Sequence, residues 1–135
     1  MKYQSDDSPQ DIEISLSNLK KEDYCYLTTT GRVTGKPHEI EIWFGARNSS
    51  IYMLSGSGRS DWVKNLLKNP NVTVRITKHN FTGIARIVKN EQEEITARNM
   101  LADKYKEREA DSSLSEWART ALPVAIDLID LKEGE

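Results

Sequence analysis

The sequence predicts an α+β fold: six strands in a closed or nearly closed antiparallel barrel, with flanking helices. Apolar and polar residues alternate over several short runs, which is the period of a strand with one buried face. Short polar connections between these runs are typical of hairpin turns. Apolar residues at helical spacing occupy one segment before the strands and two among them. From the first strand onward the order is β-β-β-α-β-β-α-β, which is not the βαβ alternation of a doubly wound sheet.

The strand predictions depend on alternation or on composition. The inward residues of the two clearest runs are Ile40, Ile42 and Phe44 in one, and Val72, Val74 and Ile76 in the other. The remaining runs are rich in β-branched, aromatic or other apolar residues. The six predicted strands cover residues 24–30, 39–44, 51–54, 72–77, 81–88 and 124–131. The predicted hairpin turns are residues 47–50 and 78–80.

Three helices are predicted, at residues 9–21, 60–69 and 90–109. Ser60 opens the second helix, which ends before Pro70 because a proline disfavours helical geometry in the residue before it. Asn90 caps the third helix. The buried faces are assigned to Ile12, Leu16 and Leu19, to Trp62, Val63, Leu66 and Leu67, and to Ala97, Leu101 and Tyr105.

Composition and charge limit the function classes. The chain has 135 residues, the size of one domain, and residues 1–8 are expected to be disordered. Nineteen Lys and Arg residues against 21 Asp and Glu residues give a formal net charge of −2, which disfavours general nucleic-acid binding. No apolar run approaches the roughly 20 residues of a membrane span, and the start has no apolar signal stretch. We therefore expect a cytoplasmic protein without an integral membrane segment.

The most informative segment connects the first two predicted strands. Residues 28–38, TTTGRVTGKPH, hold several hydroxyl groups, two glycines and the cations Arg32 and Lys36, and the stretch from Tyr24 to His38 contains no carboxylate. Such a segment can bind an anion through backbone N–H groups, hydroxyls and a guanidinium. The alternative is a solvated hairpin turn whose glycines only satisfy backbone geometry. A P-loop is excluded, because three residues rather than four separate the glycines and Pro37 follows the lysine.

A second segment, residues 54–62 with the sequence LSGSGRSDW, leaves a strand and enters a helix. Free N–H groups and the positive end of the helix dipole suit a phosphate or carboxylate there. An ordinary flexible loop and helix cap is the alternative. The dinucleotide-binding pattern is poor, because Asp61 stands where Gly or Ala is needed. With Lys64 and Lys68 on the following helix, the two segments together suggest one extended anion site.

Residues for conventional catalysis do not form a recognisable set. The two histidines and the single cysteine have no metal-ligand spacing, so no metal site is expected. Cys25 lies in a predicted strand and is more typical of a small core residue than of a nucleophile. Glu91, Glu93 and Glu94 are interpreted as a solvated helix start. If the protein is an enzyme, a bound cofactor must carry the reaction.

Three separated stretches resemble the deazaflavin-dependent nitroreductase family. That family belongs to the split-β-barrel flavin and deazaflavin oxidoreductases, which include pyridoxamine-phosphate-oxidase-like proteins. The stretches are residues 27–37 (LTTTGRVTGKP), the strand through Trp43 and Phe44, and residues 61–74 (DWVKNLLKNPNVTV). The resemblance covers about residues 24–76, with a weaker similarity at residues 117–128.

The resemblance implies a six-stranded split barrel, a homodimer, and an elongated cofactor in a groove near the subunit interface. The implied cofactor is coenzyme F-420, whose tail carries a phosphate and a chain of glutamates, with FMN as the alternative. The cofactor carries the chemistry without a catalytic protein residue. The implied cofactor-binding residues are Arg32, Val33, Thr34, Lys36, Pro37, His38, Ser55, Gly56, Ser57, Gly58, Arg59 and Trp62.

The expected function is that of an oxidoreductase passing a hydride from reduced F-420 to a small-molecule electron acceptor, such as a quinone, an activated alkene or a nitroaromatic. An FMN-binding oxidoreductase of the same fold and a non-catalytic module for an anionic ligand are the alternatives. Two departures from the family bear on this. Val33 and His38 stand where relatives often carry cations, and residues 110–116 lack the tyrosines that shape the substrate site of nitroreductase relatives. Trp117 and Tyr105 are expected to pack in the core rather than to contact a ligand.

Overall fold

The computed structural model describes residues 9–132, so the expected disorder of residues 1–8 concerns a segment outside the described residues. Over residues 9–132 the chain forms four helices and seven strands, and the predicted α+β class is confirmed. The helices are α1 (Pro9–Leu19), α2 (Asp61–Lys68), α3 (Glu91–Tyr105) and α4 (Glu116–Thr120). The strands are β1 (Cys25–Thr30), β2 (Pro37–Ile42), β3 (Gly45–Arg47), β4 (Ser50–Ser55), β5 (Asn71–Ile76), β6 (His79–Ile87) and β7 (Leu122–Lys132).

The strands form one antiparallel sheet with the order β2-β1-β5-β6-β7-β4-β3. The sheet curls into a half-barrel, which matches the split barrel that the resemblance implied. β2 and β3 lie at opposite ends of the strand order, although only Trp43 and Phe44 separate them in the chain. The chain therefore passes from one edge of the curled sheet to the other within a two-residue corner.

The prediction of six strands was wrong by one, and this corner is the reason. Alternation predicted a single strand through Phe44, but β2 ends two residues earlier and pairs with β1, whereas β3 pairs with β4. The end of α3 holds the corner: the Tyr105 hydroxyl accepts a hydrogen bond from Phe44 N (2.9 Å), and Lys104 Nζ donates to Phe44 O (2.8 Å). Gly45 permits this approach, because a Cβ there would lie 2.7 Å from Met100 Sδ.

The main hydrophobic core lies between the curled sheet and helices α1 and α2. The residues predicted to face inward from α1 and the two valines of β5 are buried in it. Cys25 is fully buried as predicted, and burial raises the pKa of its thiol to about 12. A smaller cluster beneath α3 contains Tyr52, Ala97, Leu101 and Ala125. Ile40 and Ile42 pack against the main core but stay partly exposed, since β2 is an edge strand.

One assignment on α2 was wrong. Leu67 is 62% exposed, whereas Asn65 is buried beside Val63 and Leu66. The buried arc of this helix runs from Asn65 through Trp62 and Leu66 to Val63 and stops before Leu67. Asn65 is tolerated on the buried side because its amide has partners in the neighbouring loop and strand, described below.

Turns and caps largely follow the sequence signals. Asn90 Oδ1 accepts from Glu93 N (2.8 Å) and caps α3 as predicted. The hairpin at residues 47–50 is confirmed, with Asn48 in the left-handed region. The predicted turn at 78–80 falls one residue earlier, because Thr77 takes the positive φ and His79 already pairs with Ile76. The five-residue α4 was not predicted as a separate helix.

Arg86 ties α3 to the sheet through a charged network that the sequence analysis missed. Its guanidinium contacts both oxygens of Glu93, at 2.9 and 2.7 Å, and both of Asp127, at 2.6 and 3.1 Å. Tyr52 Oη donates to Glu93 (2.6 Å), and Ser50 Oγ donates to Asp127 (2.7 Å). The interpretation of Glu93 as solvated was therefore wrong. Its hydrogen bonds from Arg86 lower its pKa to about 2.

Candidate functional site

The β1–β2 loop is a tight turn that projects from the sheet. Gly31 N donates to Lys36 O (2.7 Å), and Gly35 N donates to Gly31 O (2.9 Å). Gly35 has a φ of +76°, which an L side chain rarely adopts. Thr34 Oγ1 accepts from Lys36 N (3.2 Å), and Val33 at the tip is 89% exposed. The loop therefore presents its tip residues and backbone to solvent.

Arg32 joins this loop to helix α2. Asn65 Oδ1 accepts from both the backbone N (3.1 Å) and the Nη1 (2.9 Å) of Arg32, while Arg32 Nη2 contacts Asp61 Oδ1 at 3.1 Å. A longer bond of 3.5 Å runs from Nη1 to Asp61 O. The buried Asn65 amide also donates to Thr29 Oγ1 (3.1 Å). The two predicted anion-binding segments are thus neighbours in the fold, with Arg32 fixed between them.

A groove of about 410 Å³ opens between the loop, β2 and α2, and we call it the loop groove. It is lined by Thr29, Gly31, Arg32, Val33, Thr34, His38, Glu39, Ile40, Asp61, Trp62 and Asn65. Five of the predicted site residues lie here: Arg32, Val33, Thr34, His38 and Trp62. A Cβ at Gly31 would lie 2.6 Å from His38 Nε2, so glycine allows the imidazole to close over the loop base.

The other predicted site residues do not line the loop groove. Lys36 is exposed on the loop, and Pro37 lines a different groove of about 290 Å³ on the β1–β5 side of the sheet. Ser55 to Arg59 form the connection from β4 to α2. Lys64 and Lys68 are exposed on α2, outside the groove lining.

Serine hydroxyls hold the Ser55–Ser60 connection in shape. Ser55 Oγ and Ser60 Oγ both donate to Ser57 O and lie 2.9 Å from each other, and Ser57 Oγ accepts from Arg59 N (3.0 Å). The four residues 56–59 are exposed. Gly56 has no heavy atom within 4 Å of an added Cβ, and its φ is not positive. The fold itself therefore does not require glycine at this position, and open space lies beside it.

A second groove, of about 490 Å³, lies further along β2, and we call it the aromatic groove. It is lined by Tyr24, Glu41, Ile42, Trp43, Leu54, Glu107 and Trp117. Trp43 stacks on Tyr105 with ring centroids 4.2 Å apart and meets Trp117 edge to face at 5.5 Å. Tyr105 packs beneath Trp43 as expected, whereas Trp117 both packs and forms part of the groove wall.

The two grooves are adjacent. Ile40 lines the loop groove and Ile42 the aromatic groove, and two residues of a strand span about 7 Å. Leu54 and Asp61, which flank the Ser55–Ser60 connection in the chain, line the aromatic groove and the loop groove respectively. Both grooves therefore lie along β2.

The site contains features that sequence reasoning missed. One feature of the sequence could have indicated Asn65: it is a polar residue between the apolar residues of a short amphipathic helix. No sequence signal predicted the aromatic groove, because its lining comes from five separate segments of the chain. Among residues 9–132, no group of three or more His, Cys, Asp and Glu side chains could hold a metal ion. No helix in the same range has the length and apolar character needed to cross a membrane.

Solved structures define the class of fold. A protein described as a pyridoxamine 5′-phosphate oxidase from Listeria innocua superposes with a TM-score of 0.67 at 15% identity, covering 90% of this chain and 96% of that one. A protein described as a 5-nitroimidazole antibiotic resistance protein from Bacteroides thetaiotaomicron gives 0.69 at 15% identity, covering 88% and 81%. An F420-H2 dependent reductase (FDR-A) gives 0.61 at 20% identity, covering 77% and 93%. The chain is thus a split-barrel protein.

The family is also defined. The sequence model of the F420H(2)-dependent quinone reductase family matches residues 10–128 of this chain, and the chain belongs to that family. It is an oxidoreductase whose cofactor is coenzyme F-420, as the resemblance implied. A search of curated protein sequences found no significant match.

The residues of the loop groove fit the anionic part of such a cofactor. The bonds described above occupy three of the five N–H donors of the Arg32 guanidinium, so its position is fixed while donors remain for a ligand. The open space beside Gly56 lets a flat ring approach the backbone closely. The lining also contains two carboxylates, each paired with an arginine: Asp61 with Arg32 at 3.1 Å and Glu39 with Arg75 at 3.5 Å.

Proposed function

We propose that this protein uses reduced F-420 to reduce a quinone, which occupies the aromatic groove. The observation that carries this proposal is the adjacency of the two grooves, one lined by a fixed arginine and one walled by tryptophans. When bound, reduced F-420 supplies a hydride, and a quinone that accepts the hydride and a proton becomes a hydroquinone. Nitroaromatics and activated alkenes are smaller planar electrophiles that the same groove can accept.

In this proposal the β1–β2 loop holds the anionic tail of the cofactor. Arg32 and Lys36 supply positive charge, and the Thr34 hydroxyl and the backbone N–H groups of Val33 and Thr34, which the bonds within the loop leave unused, supply hydrogen-bond donors. Val33 and His38 shape the same end of the site, and Pro37 joins this loop to β2. His38 can contribute a ring N–H to the tail where relatives often carry a guanidinium.

The Ser55–Ser60 connection lies against the ring of the cofactor in this proposal. The serine hydroxyls hold the loop, so the contacts to the ring come mainly from the exposed backbone of Gly56, Ser57 and Gly58. Arg59 extends positive charge along this side, and Trp62 forms part of the groove wall. Hydride transfer needs donor and acceptor held close together and away from water, which a groove can achieve without a protein nucleophile.

We also propose a cytoplasmic homodimer, with the second copy on the face of the sheet opposite the main core. This face carries threonines from β1, β5 and β6 together with Ile129, which is 54% exposed. Sedimentation should show a dimer, and Ile129→Glu should convert it to a monomer. The control is Ile14→Glu, since Ile14 is similarly exposed but lies on α1. A monomeric wild-type protein would contradict the dimer proposal. It would not affect the quinone proposal, which has a separate test.

The quinone proposal is tested by anaerobic turnover. Purified protein is mixed with reduced F-420 and a neutral naphthoquinone, and the return of F-420 absorbance and the formation of hydroquinone are followed together. We expect one hydroquinone for each F-420 oxidised, and no catalysis with reduced FMN. F-420 binding without turnover of any acceptor would favour a non-catalytic module, and binding of FMN in place of F-420 would overturn the cofactor assignment.

A further inference from the structure

We infer that the aromatic groove selects planar acceptors by charge, with Glu41 and Glu107 as specificity-determining residues that reject anionic acceptors and favour neutral or cationic ones. This inference rests on the proposed function, in which the aromatic groove is the acceptor site. It concerns two side chains from separate segments, β2 and the turn that follows α3.

Both carboxylates are held in place by hydroxyl donors. Tyr26 Oη donates to Glu41 Oε1 at 2.7 Å, and Ser115 Oγ donates to Glu107 Oε1 at 2.8 Å. The backbone of Glu107 is also fixed, because its carbonyl accepts from Ser115 N at 2.9 Å. Each carboxylate thus has one oxygen anchored, and neither can swing away from the groove without losing a hydrogen bond.

The charge of the groove lining is uncompensated. Its seven residues include two carboxylates and no lysine or arginine. Arg75 lies 4.3 Å from the centre of the Tyr26 ring, whose hydroxyl holds Glu41, but its ion pair is with Glu39, at 3.5 Å. Lys104, 5.2 Å from the centre of the Tyr105 ring beneath Trp43, donates to the backbone carbonyls of Lys20 and Phe44. Arg108, which follows Glu107, pairs with Asp103 at 2.7 Å. A negatively charged acceptor entering this groove meets two like charges at close range.

The tryptophans of the aromatic groove, like its carboxylates, favour cationic ligands over anionic ones. The face of a tryptophan ring is the negative part of its quadrupole and attracts cations. Trp43 and Trp117 are perpendicular to each other, and both line the groove. Preference for cations and rejection of anions therefore have two physical sources here.

The pairing of the carboxylates differs along the site. The loop groove is lined by Glu39 and Asp61 as well as by Arg32, but Asp61 pairs with Arg32 at 3.1 Å and Glu39 pairs with Arg75 at 3.5 Å, and Lys36 adjoins the groove. Among the described residues, no ion pair involves Glu41 or Glu107 of the aromatic groove. An anionic cofactor tail is accordingly favoured at one end and an uncharged or positive acceptor at the other. The same polarity prevents the acceptor groove from binding the tail in the reverse orientation.

The first test measures binding without turnover. Equilibrium dialysis uses three redox-inert probes with one ring system: 2-methoxynaphthalene, naphthalene-2-sulfonate and trimethyl(2-naphthyl)ammonium. We expect the sulfonate to bind about tenfold more weakly than the neutral probe, and the ammonium compound at least as tightly. Indole N–H resonances should shift for Trp43 and Trp117 more than for Trp62, which locates the probe.

The variant for this test is Glu41→Gln with Glu107→Gln, because glutamine keeps the acceptor oxygen that Tyr26 and Ser115 need. It should reduce the tenfold difference to about threefold or less. The matched control is Glu91→Gln, which removes an exposed charge at the far end of α3, roughly 20 Å away and beyond the Debye length. The control should leave the difference unchanged.

The second test separates this inference from the function it rests on. With reduced F-420, the ratio of kcat/KM for naphthoquinone-2-sulfonate to that for naphthoquinone should rise about threefold or more in the double variant. Comparing the ratio between proteins cancels the different intrinsic reactivity of the two quinones. A ratio that stays within twofold, or equal binding of all three probes to the wild type, would overturn the charge selection. Charge-selective binding at Trp43 and Trp117 with no quinone turnover would instead overturn the quinone reductase proposal alone.

Discussion

Arg32 and Arg86 both form ion pairs between two elements of the fold, but Arg32 lies in the candidate site and Arg86 joins α3 to the sheet. The side chains are 32% and 40% exposed, and each reaches across from one element to another. Arg86 uses four hydrogen bonds to two carboxylates, which themselves are held by Tyr52 and Ser50. Arg32 faces one carboxylate, that of Asp61, which is 86% exposed, and a neutral amide.

The difference shows how to separate a structural arginine from a binding one. Arg86 has four of its five guanidinium donors matched by two carboxylates, which leaves it one donor and no free charge for a ligand. Arg32, positioned by an amide and one exposed carboxylate, keeps two donors and more of its charge available. Exposure alone does not distinguish them. We therefore expect substitutions of Arg86 to change stability and substitutions of Arg32 to change F-420 affinity.

The largest expected effect is that of Arg86→Met. The change leaves Glu93 and Asp127 as neighbouring unpaired carboxylates, and we expect a loss of about 2–3 kcal/mol in the free energy of unfolding, less than for a fully buried pair because the network is partly exposed. Urea denaturation measures it, with the exposed Arg119→Met as the control. F-420 affinity of the folded variant should stay within twofold. Weakened F-420 binding with unchanged stability would place Arg86 in the site instead.

Acid should remove the same stabilisation in the wild type. The pKa of Glu93 in the fold is about 2, below the ordinary value of 4.5, and that of Asp127 is lowered as well by hydrogen bonds from Arg86. Their contribution is therefore complete above about pH 5 and is lost as the pH falls towards 2. Urea denaturation between pH 6 and 3 should show a steeper decline for the wild type than for Arg86→Met. Equal slopes would contradict the role of this network.

On the other side of the comparison, Arg32→Ala should weaken F-420 binding by about 1.5–3 kcal/mol, or roughly tenfold to more than a hundredfold, because a charge-assisted contact is lost. Fluorescence titration measures the affinity. Asp61→Asn is the matched variant: it removes the partner but keeps the arginine, and it should leave the affinity unchanged or improve it. Unchanged affinity in Arg32→Ala with intact folding would remove this residue from the site.

The sequence predicted the parts of the fold that local pattern determines. Six of the seven strands and three of the four helices follow from periodicity and caps that lie within one segment. The corner at Trp43 and Phe44 could not be predicted, because Lys104 and Tyr105 fix it from about 60 residues away and Phe44 continues the alternation. One continuous pattern therefore became two strands at opposite edges of the sheet.

The candidate site also has a part that the sequence predicted and a part that only the fold brings together. Arg32 and its loop were predictable, because residue types that suit an anion are contiguous there. The partners that position Arg32 were not, because Asn65 and Asp61 come from the other segment and their meeting with it is a property of the fold. The aromatic groove could not be predicted from the sequence for the same reason, because Trp43, Leu54 and Glu107 become neighbours only when the sheet curls.

The smallest expected effect compares two glycines. Gly56→Ala should change the free energy of unfolding by no more than about 0.5 kcal/mol, since the added Cβ enters open space, yet it should weaken F-420 binding about tenfold if the ring lies there. Gly45→Ala should lower the free energy of unfolding and leave F-420 binding unchanged, because its Cβ would lie 2.7 Å from Met100 Sδ. Thermal unfolding and F-420 titration of both variants provide the measurement. Full F-420 affinity in a folded Gly56→Ala protein would move the ring away from this connection.

A crystal structure of the protein with F-420 bound tests the central claim most directly. We expect the tail within hydrogen-bonding distance of the Arg32 guanidinium, the ring against Gly56 to Gly58, and the aromatic groove left open beside the ring. A cofactor bound elsewhere on the barrel, or one bound with its ring in the loop groove and its tail beside Glu41 and Glu107, would contradict the account.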